Sequence, residues 1–280
     1  MRADIFFTNT YYRENSNKYG AWNLNYLRAK FIRMHRFAFS WLLILFGSLA
    51  LAQVSLEAAQ LLERGRTVLG GSALTNLKTY REVTTNIYYT PDGKEESRIV
   101  TLLLVDFANS RVRLEIYDPQ SLNNPNPIPL ALQQYSPQES FFWSRETSLR
   151  PLPAREREIL RSSLYTGWLG LKYGSSNRER ASVSQGSLRN QTGRLLTVST
   201  QGWVSTYLFG ADGLLLGERL TIPGVGESIT FFSNYQTVQG VRLPQKWENY
   251  IDGALTARGE LMEVEINLTF TEADFFKPTR

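Results

Sequence analysis

The sequence predicts a mainly β protein of the α+β class, built on an antiparallel sheet or partial barrel. From Ala181 onward, short runs of strand character recur at the roughly 8–12-residue spacing of an antiparallel meander. Aromatic residues make up 12% of the 280 positions and interleave with Thr, Val and Leu, the side chains that suit a pleated, half-buried surface. Extended helical periodicity is confined to two stretches, residues 54–69 and 154–164.

The chain begins with an address. Residues 37–52, FAFSWLLILFGSLALA, follow Arg33, His35 and Arg36 and end in Ala50-Leu51-Ala52. A basic start, a short apolar middle and small residues flanking a cleavage point form a secretory signal peptide. The apolar run falls short of the roughly 20 residues that cross a bilayer. Export is therefore expected, with cleavage after Ala52 and translation starting at Met34; an uncleaved N-terminal anchor is the alternative. Residues 1–33 lack either periodicity and are read as a mis-assigned or disordered extension. Residues 34–52 are then the signal peptide and 53–280 a single domain.

Removing the leader changes the chemistry. Residues 1–52 carry seven Lys and Arg against two acids, so the remainder holds 24 of each and the formal charge of +5 disappears. A nucleic-acid partner, which calls for a clustered basic surplus, is not expected. There is no cysteine, and the one histidine, His35, lies in the leader. That excludes a Ser-His-Asp triad, a Cys nucleophile, a disulfide and a His/Cys zinc site from the exported part. No cofactor is expected.

The elements follow in order. Residues 54–69 form a helix with Ser55 as N-cap and Gly70-Gly71 as its stop, and a second short helical turn runs to Lys78. Strands are expected at 79–90, 97–107 and 111–117, the first two joined through Pro91-Asp92-Gly93-Lys94. Residues 118–137, with five prolines and three asparagines, read as one long irregular loop. Phe141-Phe142-Trp143 is a short aromatic strand, and Pro151-Leu152-Pro153 introduces a charged helix at 154–164. Seven strands close the chain, at about 181–188, 194–200, 203–209, 214–222, 227–235, 241–250 and 255–267. Turns between them are assigned to Gln191-Thr192-Gly193, Gln201-Gly202, Asp212-Gly213, Pro223-Gly224, Gln239-Gly240 and Asp252-Gly253.

Three segments resemble one family in the right order. LLERGRTVLGGSALTNLKTYREVTTNIYYTPDGK resembles the opening of the outer-membrane lipoprotein-sorting (LolA/LolB-like) proteins. PLPAREREILRSSLYTGWLGLKYG is similar to that family's Pro-framed helix and apolar lid loop. FFSNYQTVQGVRLPQKWENYIDGALTARGELMEVEINLTFTEADFFKP is similar to its closing hairpins. The resemblance spans residues 55–278 and departs from the well-studied carrier in the long Pro/Asn loop. It implies a curved antiparallel sheet forming an unclosed half-barrel, with helices and loops over its concave face. Between sheet and cover it implies a cavity for lipid, lipoprotein acyl chains or another hydrophobic small molecule. The function so implied is a non-enzymatic carrier or sensor in the periplasm or cell envelope, peripheral to the membrane at most. A module that docks an envelope protein partner is the alternative, and a carboxylate-dependent hydrolase stands behind both.

Candidate cavity-lining residues are Trp143, Leu164, Tyr165, Trp168, Leu169 and Leu171, then Trp203, Tyr207 and Phe209 on one strand face, with Phe231 and Trp247 further on. Each also serves as an ordinary core anchor. Glu156 and Glu158 with Arg155, Arg157 and Arg161 read as a solvated helix face. Glu95-Glu96 and the acids at 260, 263 and 265 read as outward strand positions. Arg81 belongs either on the outer surface or inward, holding a lid.

Overall fold

The computed structural model describes residues 54–124, 127–176, 178–222 and 226–275. The extension at 1–33, the signal peptide at 34–52, its cleavage point, the Pro223-Gly224 turn and the Lys277-Pro278 end lie outside these residues. Helix α1 (Leu56–Val68) starts where Ser55 Oγ accepts a hydrogen bond from the Ala58 amide at 3.1 Å, satisfying one of the free donors of its first turn. Ala58, Leu61, Leu62 and Gly65 form its buried stripe. The Gly70-Gly71 break leads to the short α2 (Ser72–Thr75) and then into the sheet.

Thirteen strands follow among the described residues: β1 (Thr79–Tyr89), β2 (Glu95–Asp106), β3 (Arg111–Tyr117), β4 (Ala131–Tyr135), β5 (Ser140–Ser144), β6 (Arg150–Pro151), β7 (Arg180–Leu188), β8 (Gln191–Thr200), β9 (Trp203–Phe209), β10 (Leu215–Ile222), β11 (Gly226–Val238), β12 (Val241–Ile251) and β13 (Ala254–Ile266). They form one sheet in the order β6-β5-β4-β3-β2-β1-β13-β12-β11-β10-β9-β8-β7, antiparallel throughout and not closed into a barrel. The half-barrel architecture implied by the family resemblance is thus present. At Gln201-Gly202, Gln239-Gly240 and Asp252-Gly253 the φ angles lie at 47–50° and 80–86°, the paired positive values of hairpin turns whose twist matches the strands.

Two expectations are corrected. The stretch 118–137 is not one irregular loop, because Ala131–Tyr135 pairs with both β3 and β5. Its neighbouring prolines hid a strand whose Gln133 and Gln134 are buried. The β7–β8 turn falls at Arg189-Asn190, with Arg189 at φ 50°, so Gln191-Thr192-Gly193 belongs to the strand.

Strand register separates the two faces. Tyr80 pairs with Val105 and Ile266, and Val105 with Val112; all four join one core cluster, which marks the inner face. Because β6 and β7 are opposite edges, the segment between them must cross the sheet. It does so over the inner face as a strap: Leu152, α3 (Ala154–Ser162), α4 (Gly167–Gly170) and Leu171–Tyr173. Helix α1 seals the β7–β9 side, where the Phe209 ring packs so near Gly65 that a Cβ there would lie 2.5 Å from it.

The outer face has its own cover over β3 and β4. Phe275, in the 3-10 turn Glu272–Phe275, is buried, and its carbonyl accepts from Gln134 Nε2 at 3.1 Å. Arg111 reaches Asp106 at 2.8 Å and Glu272 at 3.0 Å while lying 4.3 Å over the Phe275 ring.

Candidate functional site

Along β1 the inner-face residues are Tyr80, Glu82, Thr84, Asn86 and Tyr88. Their neighbours across β2 are Val105, Leu103, Thr101, Ile99 and Ser97. Tyr80 is 1% exposed and meets Trp168 of the strap edge-on at 5.3 Å. Its hydroxyl donates to Glu82 Oε2 at 2.5 Å. Burial pushes the Glu82 carboxyl up from its ordinary value, yet the residue keeps part of its surface accessible. The Glu82 carboxyl thus lies on the inner face, desolvated by its neighbours but not closed off.

Half-buried apolar side chains share this face. Leu103, Leu114, Phe232, Leu261 and Val264 pack against the core from the inner face and remain half-buried. Phe232 pairs across the strands with Trp247, whose indole lies against Gly259; a Cβ at that glycine would come within 2.1 Å of the ring. The absence of a side chain at Gly259 is what seats Trp247. Polar groups are interspersed with these side chains on the inner face. The Asn86 Nδ2 amide donates to Thr84 Oγ1 at 3.1 Å and Thr101 Oγ1 at 2.9 Å, while Asn86 Oδ1 and Gln245 Nε2 are buried without partners.

The strap is tied down at its middle. Gly167 adopts φ 63° and its amide donates to Glu218 Oε2 at 2.8 Å. Glu218 is 5% exposed, and burial raises its pKa. Arg178 adds a second anchor, donating to the Gly170 carbonyl and to Thr200 Oγ1, both at 2.7 Å.

The sequence-derived residues divide into four groups. Leu164, Trp168, Leu169, Leu171, Tyr207 and Phe209 gather in the core cluster, each no more than 8% exposed. Tyr165 and Trp203 form an aromatic pair at 5.7 Å beside it, with Tyr173 5.6 Å from Tyr165. Trp247 lies on the inner face in the half-open stretch. Trp143 and Phe231 lie on the outer face: Trp143 pairs with Leu132, out of phase with Phe142 of the core, and Phe231 is out of phase with Phe232. Trp143 lines an open groove of about 550 Å³ with Pro127, Ile128 and Arg145. Phe231 meets Tyr250 edge-on at 5.9 Å. Arg81 also faces outward, 2.8 Å from Glu265 and 3.4 Å from Glu263.

Glu82, Leu103, Leu114, Phe232, Gly259, Leu261 and Val264 were not singled out from sequence. The available signal was the alternation in TYREVTTNIYY, which places Glu82 in phase with Tyr80.

No protein-family model matches the chain, and no curated protein matches it in sequence. Solved structures do. A LolA superfamily protein from Nitrosomonas europaea is similar at TM-score 0.54 and 10% identity, covering 79% of this chain and 97% of that one. A domain from Vibrio parahaemolyticus assigned to outer-membrane lipoprotein sorting gives 0.53 and 10%, covering 78% and 97%. A DUF1329 family protein from Desulfovibrio piger gives 0.50 and 10%, covering 79% and 96%. At this identity the likeness establishes the fold, which is the one the sequence motifs implied.

Proposed function

Taking that shared half-barrel as the premise, we propose that this chain is a carrier or sensor for a lipid, acyl chain or other hydrophobic molecule in the cell envelope, and not an enzyme. The observation that carries the reading is the set Leu103, Leu114, Phe232, Trp247, Leu261 and Val264 on the inner face. Six apolar side chains left half-buried on the inner face keep a hydrophobic cost that a bound chain would relieve, at about 25 cal/mol for each Å² it covers. The names of two structural neighbours, a LolA superfamily protein and a lipoprotein-sorting domain, support a hydrophobic cargo. The signal-peptide layout at 34–52 supports an exported, periplasmic or envelope location, cleaved after Ala52.

The strap is the gate in this reading. Trp168 covers Tyr80, and the Gly167–Glu218 bond fixes the point about which the strap would lift. Of the sequence-derived residues, Trp168 and Trp247 touch the cargo, while Leu164, Leu169, Leu171, Tyr207 and Phe209 hold the wall behind it. Organic extraction of the purified full-length chain, followed by mass spectrometry, should release an apolar molecule. The stripped protein should then take up a fluorescent long-chain alcohol and change its tryptophan emission. A protein that releases nothing and takes up nothing would overturn the reading.

A further inference from the structure

Resting on the carrier reading, we propose that the ligand is a long-chain amine, an alkyl chain against the inner face whose ammonium group pairs with the Glu82 carboxylate. The flanks of Glu82 are apolar: Leu103 stands across from it on β2 and Val264 on β13, while on its own strand Tyr80 precedes it and Thr84, bonded to Thr101, follows it on the same face. Among the described residues the carboxyl's hydrogen-bond partner is the Tyr80 hydroxyl, at Oε2. No Lys or Arg among the described residues forms an ion pair with it, whereas the outward Glu263 and Glu265 share Arg81. Other cations of the strap and its anchor are engaged elsewhere: Arg157 and Arg161 with Glu158, Arg161 also over the Trp203 ring, Lys172 over Phe107 and Tyr173, and the anchoring Arg178 with Gly170 and Thr200.

A carboxylate desolvated without a counter-ion is costly, and the folded chain meets that cost by holding on to the proton. An ammonium delivered beside it offsets the same cost by charge-assisted hydrogen bonding, strengthened by the low dielectric of the wall. A fatty acid bringing a second carboxylate would suffer like-charge repulsion there, and an alcohol would gain only a neutral hydrogen bond. Head-group selection thus falls to Glu82, while the half-buried inner-face side chains from Leu103 to Trp247 receive the chain.

The test is displacement of a fluorescent apolar probe from the full-length protein by hexadecylamine, hexadecanol and hexadecanoate, at about pH 8 where the free amine is protonated. The amine is expected to bind about tenfold or more tighter than the alcohol, and the acid weakest. In Glu82→Gln the amine-to-alcohol affinity ratio should fall towards one, while Glu265→Gln on the outer face leaves that ratio unchanged. The three-ligand order in the unmodified protein stands as a test even if the Glu82 variant fails to fold. An alcohol or acid binding as tightly as the amine overturns the head-group assignment and leaves the carrier reading standing. If none of the three displaces the probe or binds, the carrier reading falls and takes this inference with it.

Discussion

One inner face carries two regions built from the same residue types. At the β7–β9 side and the neighbouring ends of β10 and β12, Leu196, Tyr207, Phe209, Leu215, Val241 and Leu243 are fully buried, together with Leu62 and Leu69 of the α1 segment. Along β1, β2, β3, β11 and β13, Leu103, Leu114, Phe232, Leu261 and Val264 point the same way and stay half-buried. The difference lies in the cover. A thirteen-residue amphipathic helix fills one region, whereas a narrow strap with two short helices crosses the other. Whether an apolar strand residue becomes core or lining is decided by an element far away in sequence.

That contrast can be broken by mutation. Leu62→Ala in the sealed region should cost about 2–5 kcal/mol, read from denaturant unfolding, because the site is closed and little can collapse into the hole. A cost near zero would show that the sealed region is not sealed. Gly259→Ala should cost about 1–3 kcal/mol by driving a methyl into the Trp247 ring, and should shift tryptophan emission. Phe232→Ala should cost less, about 1 kcal/mol, while weakening uptake of a long-chain alcohol several-fold. Equal stability losses for Leu62→Ala and Phe232→Ala would erase the distinction.

The carboxyl in the half-open region gives a pH signature. Burial raises Glu82, so the folded chain keeps a proton that the unfolded chain releases near the ordinary glutamate value of 4.5. Its contribution to stability is complete below that value and is lost as pH rises through the raised folded value. Glu218 shifts in the same direction. Glu82→Gln should therefore flatten the fall of unfolding free energy with rising pH; an unchanged slope would place the titration elsewhere. Arg81→Ala, which breaks an exposed pair on the outer face, should change stability by about 0–1 kcal/mol and uptake not at all.

Much of the architecture was legible in the sequence. The strands at 79–90, 111–117 and the closing seven were placed closely because alternation and Asp-Gly or Gln-Gly turns are local signals. The strand at Ala131–Tyr135 escaped because its pairing partners, not its own Gln-rich pattern, make it a strand. Site residues were harder. Aromatics drew attention to Trp143 and Phe231, which the pleat turns outward, and passed over Glu82, whose meaning depends on a strap more than eighty residues downstream. Phase along a strand is local, but which phase is covered, and how completely, is not.

The pairing of β1 with β13 bears on how the chain acquires its shape. Strands β1–β6 and β7–β13 are two runs of sequential hairpins, each held by contacts between near neighbours in the chain. Among the described strands the two runs hydrogen-bond to each other along the β1–β13 seam alone, where Val83 lies opposite Glu263. Closing so long a loop is entropically slow, so each run is expected to form by itself and the seam to zip last. A substitution at Val83 should then speed unfolding and leave the folding rate nearly untouched, as stopped-flow chevrons would reveal. Slowed folding would mean that the two runs organise around the seam from the start.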